Sequence, residues 1–474
     1  MLPNRPSIDS VTTINDDGSR RFLHPADTRG RWTTWRRLAA WLLIAVYVLL
    51  PWIPVGGYPA VFLDIGERRF HLLGWTIPTQ ETWLLFFLIS GAGFTLFFLT
   101  ALLGRVWCGW ACPQTVFLEY LFRRIERLIE GDAVARRRLD AAPWETAKVL
   151  KRLLKHALFA LLAAVIAHVF LAYFVSLPRL YGMMTGAPTE HWGLFVFMLA
   201  ATGVLYFDFA WFREQLCIVL CPYGRLQSAL IDEHSLVIGY DVARGEPRKN
   251  HGLPQFLGDC IDCARCVQVC PTGIDIRQGL QLECIGCTAC IDACDEVMLK
   301  VKKPRGLIRY DSLAGFSGAK TRWLRPRTLL YGALLLAGSL VALAVFSNLK
   351  PASFVPLRMP GGAYFIDAEA VRNQFLVRLT NKTGAPRQFR LLVENAPEGM
   401  IISGTDGPVE VAPLQEEVRS VIIRMPRAVY RGAFHFRLAA RDETGGYTLA
   451  REVEFLGPDP RLLNDDYWRE KPAH

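Results

Sequence analysis

The chain has 474 residues, of which 51% are hydrophobic and 21% charged, and its formal net charge is +10. A half-apolar composition at this length puts a membrane protein ahead of any soluble fold. The basic residues are concentrated between apolar stretches, which reads as a topology signal facing anionic lipid, so no nucleic-acid partner is expected.

Five stretches reach the roughly 17 to 25 apolar residues that a bilayer-crossing helix needs: 38–55, 82–104, 157–177, 192–212 and 329–346. Residues 1–37 are mostly polar and read as a cytoplasmic tail, not as a cleavable signal peptide. Arg31, Arg36 and Arg37 flank the first stretch, a dense basic run from Arg123 to Lys155 separates the second from the third, and Arg322, Arg325 and Arg327 precede the fifth. The remaining connections carry only Arg68 with Arg69, and Arg179. The bias places the N-terminus and residues 213–328 inside and the tail from 347 outside, which in a bacterium is the periplasm.

At the end of the second stretch stands Cys108-Gly-Trp-Ala-Cys112-Pro113, and after the fourth stands Cys217-Ile-Val-Leu-Cys221-Pro222. Thiols four apart share one face of a continuing helix. A following proline starts a new helical turn comfortably, which suggests a break at the membrane surface. Two such thiols make a soft clamp suited to Cu(I), or a dithiol able to give up two electrons. A disulfide inside a helix would be strained. Both stretches run from outside to inside, so the two pairs lie at similar depth, and packed helices would let four thiols share one metal or one relay. The alternative is that these cysteines simply fill helix contacts.

Polar residues inside apolar stretches are functional candidates. His168, near the middle of the third, is a candidate ligand for copper, haem or a quinone, against an ordinary hydrogen bond. Asp208, near the inner end of the fourth, moves protons, biases the thiol potential, or pairs with Arg213. Met183, Met184 and His191 offer soft donors in a short connection.

Twelve cysteines occur, none beyond residue 294. All fall on the expected cytoplasmic side or its border, where thiols stay reduced, so they read as metal or redox ligands. Eight of them form C-x2-C-x2-C-x3-C twice, the two-cluster ferredoxin spacing. On that pattern Cys260, Cys263, Cys266 and Cys294 hold one [4Fe-4S] cluster, and Cys284, Cys287, Cys290 and Cys270 hold the other. Proline follows Cys270 as the pattern expects, whereas Asp295 follows Cys294. Structural zinc is the alternative. From residue 350 onward, short alternating apolar-polar segments such as "FLVRLTN" and "AFHFRLAARD", separated by turn residues, predict a β-sandwich. Asn381-Lys-Thr matches a glycosylation acceptor by pattern alone.

CGWACPQT, CIVLCPYGR and the doubled ferredoxin motif, in this order and followed by a β-rich tail, resemble the CcoG/FixG/RdxA family of cytochrome c oxidase accessory proteins. The resemblance covers nearly the whole chain after the first 30 residues. It implies a membrane-anchored iron-sulfur protein that reduces Cu(II) to Cu(I) for assembly of cbb(3)-type cytochrome oxidase. The eight ferredoxin cysteines would then be cluster ligands, and Cys108, Cys112, Cys217 and Cys221 would handle copper or relay electrons. Its partners would be the lipid bilayer, copper ions, an unknown cytoplasmic electron donor and cbb(3)-type oxidase assembly factors, with a homo-oligomer also allowed. Quinol-linked membrane ferredoxin proteins share the same motifs, so a quinol reading stays open, as does a non-catalytic redox-sensing scaffold.

The expected architecture is a multi-domain membrane protein. A five-helix transmembrane α domain (38–225 and 329–346) carries an inserted cytoplasmic region, 226–328. Within that region lies a two-cluster, ferredoxin-like α+β domain at 254–303. An immunoglobulin-like β-sandwich follows at 350–474.

Overall fold

The computed structural model describes residue 13 and residues 20–66, 69–78, 83–248, 258–348, 350–443 and 446–463. Arg68, the start of the expected cluster domain at 254–257 and the end of the expected sandwich at 464–474 lie outside the described residues. The chain divides into two compact units, Met1–Ile65 with Trp83–Leu343, and Gly66–Thr82 with Ala344–His474.

In the first unit α1 spans Arg31–Leu49 and α2 spans Leu84–Leu103. Then come α3 (Val106–Trp110), α4 (Pro113–Phe117), α5 (Arg123–Glu130) and α6 (Ala133–Ala141). The long α7 (Thr146–Leu171) is followed by α8 (Leu177–Thr185), α9 (Trp192–Phe207) and α10 (Pro222–Leu230). Strand β1 (Leu236–Tyr240), the short α11 (Arg265–Gln268), α12 (Ala289–Lys300) and β2 (Ile308–Ser312) build the cysteine-rich part. Helix α13 (Pro326–Ser347) closes the set.

Among the described residues five helical segments are long and apolar enough to cross a membrane: Arg31–Trp52, Leu84–Leu103, Thr146–Leu171, Pro188–Phe212 and Pro326–Ser347. Little of their apolar surface is covered by protein, so it faces lipid. The third begins eleven residues earlier than the sequence pattern predicts, because the basic turn Lys148–Lys155 is itself helical. Long cationic side chains allow this by reaching back to the interface. It also ends at Leu171, which places His168 in the last turn and not near the middle. The first closes with a 3-10 turn at Leu50–Trp52, where Pro51 removes a backbone donor.

Two features tie these helices to the cysteine-rich part. Helix α2 stops at Gly104, whose positive φ of 59° and close approach to the Leu236 carbonyl exclude a side chain. Helix α1 begins at Gly30, which has no side chain to cap it. The carboxylate of Asp292 on α12 does so, accepting from the Thr33 amide at 2.6 Å, the Thr33 hydroxyl at 2.7 Å and the Trp32 amide at 3.3 Å. A Cβ at residue 30 would collide with that carboxylate. An acid at a helix start also complements the helix dipole.

Segment Gly66–Thr82 of the second unit adds the paired strands Arg69–Leu72 and Trp75–Pro78, and its residues 352–455 form two antiparallel sheets. One has β3 (Ala352–Arg358), β4 (Ala370–Asn381), β6 (Ile401–Ser403) and β8 (Glu416–Pro426) in the order β6-β8-β4-β3, with Phe365–Ile366 added beside β4. The other runs β7-β5-β9-β10, with β5 Arg387–Glu394, β7 Pro408–Val411, β9 Phe434–Asp442 and β10 Thr448–Phe455. Alternation along β4 buries Val371, Phe375, Val377 and Leu379 against Phe389, Phe436 and Phe455 from the facing sheet. Asn381 is not a glycosylation acceptor here: it is buried, and its amide donates to the carbonyls of Ala385 at 2.7 Å and Val411 at 3.1 Å.

Candidate functional site

The two ferredoxin loops repeat one backbone conformation. Asp262 and Ala264 are left-handed, at φ 52° each, and Gly286 and Thr288 take the same places 24 residues later, at φ 68° and 64°. Alternating helical and left-handed residues aim successive amides into a concavity that favours an anion. Three of the four are not glycine, and a left-handed conformation costs such residues about 1–2 kcal/mol each. The loops therefore hold a costly backbone conformation at matching positions.

Thiols cross between the motifs. Cys294, one turn beyond Cys290 on α12, feels Cys263 and then Cys260. Cys270, from the first motif, is felt instead by Cys284, Cys287 and Cys290. With Cys266, those four line one cavity walled by Ile238, Ile274, Ile276 and Ile285. Burial pushes Cys266, Cys284 and Cys294 up to about 12 and Cys287 to about 11. Thiolates there need a cationic partner, and the soft sulfur donor sets fit iron-sulfur clusters. Asp295, where the pattern has proline, accepts from the Gly306 amide at 2.8 Å.

The C-x3-C-P pairs do not lie on continuing helices. Cys108 sits within α3, but Cys112 is extended, with φ −62° and ψ 125°, and Cys221 likewise, with φ −67° and ψ 110°. The residue before a proline is driven out of the helical region, so each second cysteine falls at the break that the proline imposes. The pairs nevertheless meet. Cys217 feels Cys112, Cys108 and Cys221, and burial together with those neighbours raises its thiol above the ordinary range. Burial first, and Cys112 next, push Cys108 up to about 11.

Gln227 on α10 joins the two motifs, because its Oε1 accepts the Cys108 thiol at 3.1 Å. Nothing in the sequence pattern singles out this glutamine. The Gly109 backbone lies against Ile285 and Gly286 of the second ferredoxin loop. Cys108 consequently packs into the same core as Cys287, Val269, Ile285 and Ala293.

The other candidates stay apart. His168 is bonded to its own helix, Nδ1 to the Ala164 carbonyl at 2.7 Å. Asp208 accepts from Gln114 at 3.2 Å and makes no side-chain pair with Arg213, which instead binds Glu126 at 3.1 and 3.2 Å. Met184 is exposed, as is His191 in a separate turn. Among the described residues no three His, Cys, Asp or Glu side chains gather on a single ion position. Three arginines attend the ferredoxin thiols, Arg105 standing beside Cys284. Arg277, bound to Asp275 at 2.7 Å, stands beside Cys266, and Arg36, whose Nε donates to the Gly109 carbonyl at 2.8 Å, stands beside Cys287.

Comparison with known families agrees with this layout. Residues 84–131 match a family described as "4Fe-4S binding domain", 212–313 one described as "4Fe-4S dicluster domain", and 343–458 the "IG-like fold at C-terminal of FixG". Five apolar helices, paired ferredoxin loops and an immunoglobulin-like sandwich define a membrane iron-sulfur electron-transfer protein. The chain is 41% identical over 382 residues to Protein RdxA of Cereibacter sphaeroides, covering 76% of this chain and 80% of that protein. It is 35% identical over 492 residues to Nitrogen fixation protein FixG of Rhizobium meliloti, covering 89% and 90%. It belongs to the FixG/RdxA family. The crystal structure of a FixG-related protein from Vibrio parahaemolyticus aligns with 23% of the chain and 97% of its own length, at 16% identity and a TM-score of 0.21.

Proposed function

We propose that this protein is a cupric reductase of the bacterial inner membrane, serving assembly of cbb(3)-type cytochrome oxidase. The observation that supports it is the shared core of Cys108 and Cys287, which makes the dithiol site contiguous with the second ferredoxin loop. Cys260, Cys263, Cys266 and Cys294 would hold one [4Fe-4S] cluster, and Cys284, Cys287, Cys290 and Cys270 the other. Bound there, the clusters supply reversible one-electron chemistry.

The chain's own residues do the rest. Gly109 permits the close backbone approach, Gln227 fixes the Cys108 thiol, and Arg36 and Arg277 place positive charge beside each ferredoxin set. The substrate Cu(II) gains one electron, drawn ultimately from a cytoplasmic reductant, and becomes Cu(I). Cys108, Cys112, Cys217 and Cys221 suit the product, because Cu(I) prefers soft sulfur ligands. Each thiol that binds gives up its proton. The positive-inside bias supports a cytoplasmic ferredoxin part and a periplasmic sandwich.

A second reading has its own observation. An apolar cavity of about 840 Å³ is lined by Ala111, Pro113, Tyr47, Ile166 and Val204 and borders the Cys112 break. It would accept a quinol, but the Tyr47 hydroxyl is already committed to the Ile166 carbonyl at 2.8 Å, leaving few groups to hold a quinol head.

The deciding experiment mixes anaerobically reduced protein with Cu(II) and follows Cu(I) formation and cluster reoxidation together. The Cys108/Cys112/Cys217/Cys221 to Ser variant is run alongside. Stoichiometric Cu(I), slowed in the variant, supports copper reduction. Clusters that stay reduced with Cu(II) but reoxidise with a quinone overturn it in favour of the quinol reading. Full function in the variant points to the redox-sensing scaffold.

A further inference from the structure

A cavity of about 550 Å³ opens between the start of α1, the α5 and α6 helices and the ferredoxin loops. That volume is in the range of small-molecule sites. Its lining is arginine-rich in two layers. Arg36, Arg123 and Arg136 are buried, at 6%, 7% and 4% exposure, whereas Arg29, Arg37 and Arg124 are exposed.

The buried layer is incompletely satisfied. Arg36 Nη2, Arg123 Nε and Arg136 Nε are shielded from solvent and have no hydrogen-bond partner. Arg123 and Arg136 are tied to Glu214 and Glu126, but Arg36 has no carboxylate partner among the described residues. Seven arginines line the cavity against two carboxylates, Asp27 paired with Arg127 and Glu119 paired with Arg123, so the lining carries an excess of positive charge that favours an anion. The planar guanidinium is the side chain best suited to a phosphate.

The position of the cavity adds meaning. Its wall includes Val269 and Pro271, which flank Cys270, and Ala289, which precedes Cys290. Arg123 also donates to the Pro271 carbonyl at 3.2 Å, and Arg36 stands beside Cys287. We infer that this cavity is a phosphate-ester site abutting the second ferredoxin set, and that an anion held there lowers the reduction potential of the cluster at that set alone. The phosphate belongs to a lipid headgroup or to a soluble nucleotide. The binding claim stands independently of the copper reading, whereas the potential claim rests on the cluster assignment.

The test uses the full chain in nanodiscs. One arm compares phosphatidylcholine with and without phosphatidylglycerol, reading retained anionic lipid by native mass spectrometry. The other titrates ADP and FMN into phosphatidylcholine discs by calorimetry. Arg37→Glu and Arg124→Glu, both at exposed positions, are run beside the parent chain. Saturable binding in either arm, weakened at least about tenfold by the reversals, supports the site and names the source of the phosphate. Absence of saturable binding in both arms, or binding unmoved by the reversals, overturns it. Iron content is measured on the same samples, so failure to load clusters is recognised separately. In iron-loaded protein, EPR titration is expected to show one potential falling on binding and the other unchanged. Binding that moves neither potential, or both equally, overturns the coupling to Cys287.

Discussion

A Cβ added to Gly109 would sit 2.6 Å from the carbonyl oxygen of Ile285, so the C-x3-C-P break and the second ferredoxin loop touch through bare backbone. Gly109→Ala must push the two apart. Overpacking of this kind costs about 1–3 kcal/mol. The expected result is selective loss at the Cys284 set, with iron falling from about eight toward about four per chain while the Cys260 set is retained. Iron analysis with EPR checks this, and equal loss from both sets would contradict it.

Glu126 is buried among Arg213, Arg136 and Lys155. Burial alone would raise its carboxyl, but the surrounding cations outweigh that and bring it from 4.5 to about 2. Its folded value lies below its ordinary one, so its contribution is complete above pH 4.5 and is lost as pH falls toward 2. A shift of this size corresponds to about 3 kcal/mol. Thermal unfolding should therefore show stability falling over that acid window. Glu126→Gln, which leaves buried Arg213 facing Glu214 at 3.9 Å, should lose roughly 3–5 kcal/mol at neutral pH and flatten that acid dependence.

Cys108 is held as a thiol near neutrality, with a value of about 11. Alkylation of the copper-free protein at Cys108 should accelerate about tenfold per pH unit between pH 7 and 10, because only the thiolate reacts. Peptide mass spectrometry on samples alkylated across that range would read the rate at Cys108.

Asn381 holds three carbonyls, those of Ala385, Val411 and Ala412, and accepts the Thr383 amide at 3.0 Å and hydroxyl at 2.7 Å. Asn381→Ala leaves buried acceptors unpaired, at about 1–3 kcal/mol for each group stranded. Faster hydrogen exchange along Ala370–Asn381 and Pro408–Val411 is the expected signature. Unchanged exchange would mean that the side chain is dispensable.

The topology proposal is tested with protease on intact spheroplasts. The sandwich from Ala352 onward should be cleaved while the segment holding Cys260–Cys294 survives until the membrane is opened. The reverse pattern would place the chain the other way round.

The apolar helices and both ferredoxin motifs were legible because hydropathy and fixed cysteine spacing are local signals. The sandwich was legible because alternation has period two along strands such as Ala370–Asn381. Three features that the sequence pattern misplaced or left open share a different origin. The third helix starts early because amphipathic basic turns continue a helix without continuing its hydropathy. Cys112 and Cys221 leave their helices because proline acts on the residue before it. Arg213 prefers Glu126, 87 residues away, over its neighbour Asp208. Gln227, Arg36 and Arg277 went unnoticed because only tertiary packing brings them to the thiols, and no spacing rule encodes that.

The carboxylate of Asp292 completes the start of the first helix from 259 residues downstream of Thr33. During synthesis, the earliest membrane segment must therefore wait, with its leading amides unfinished, until nearly two thirds of the chain has emerged. The acid that finishes it lies between Cys290 and Cys294 on one short helix. Ordering of that helix and completion of the first span are thus one event, so a chain starved of iron should reveal itself to quality-control proteases at its N-terminal end, well before the first cysteine in the sequence.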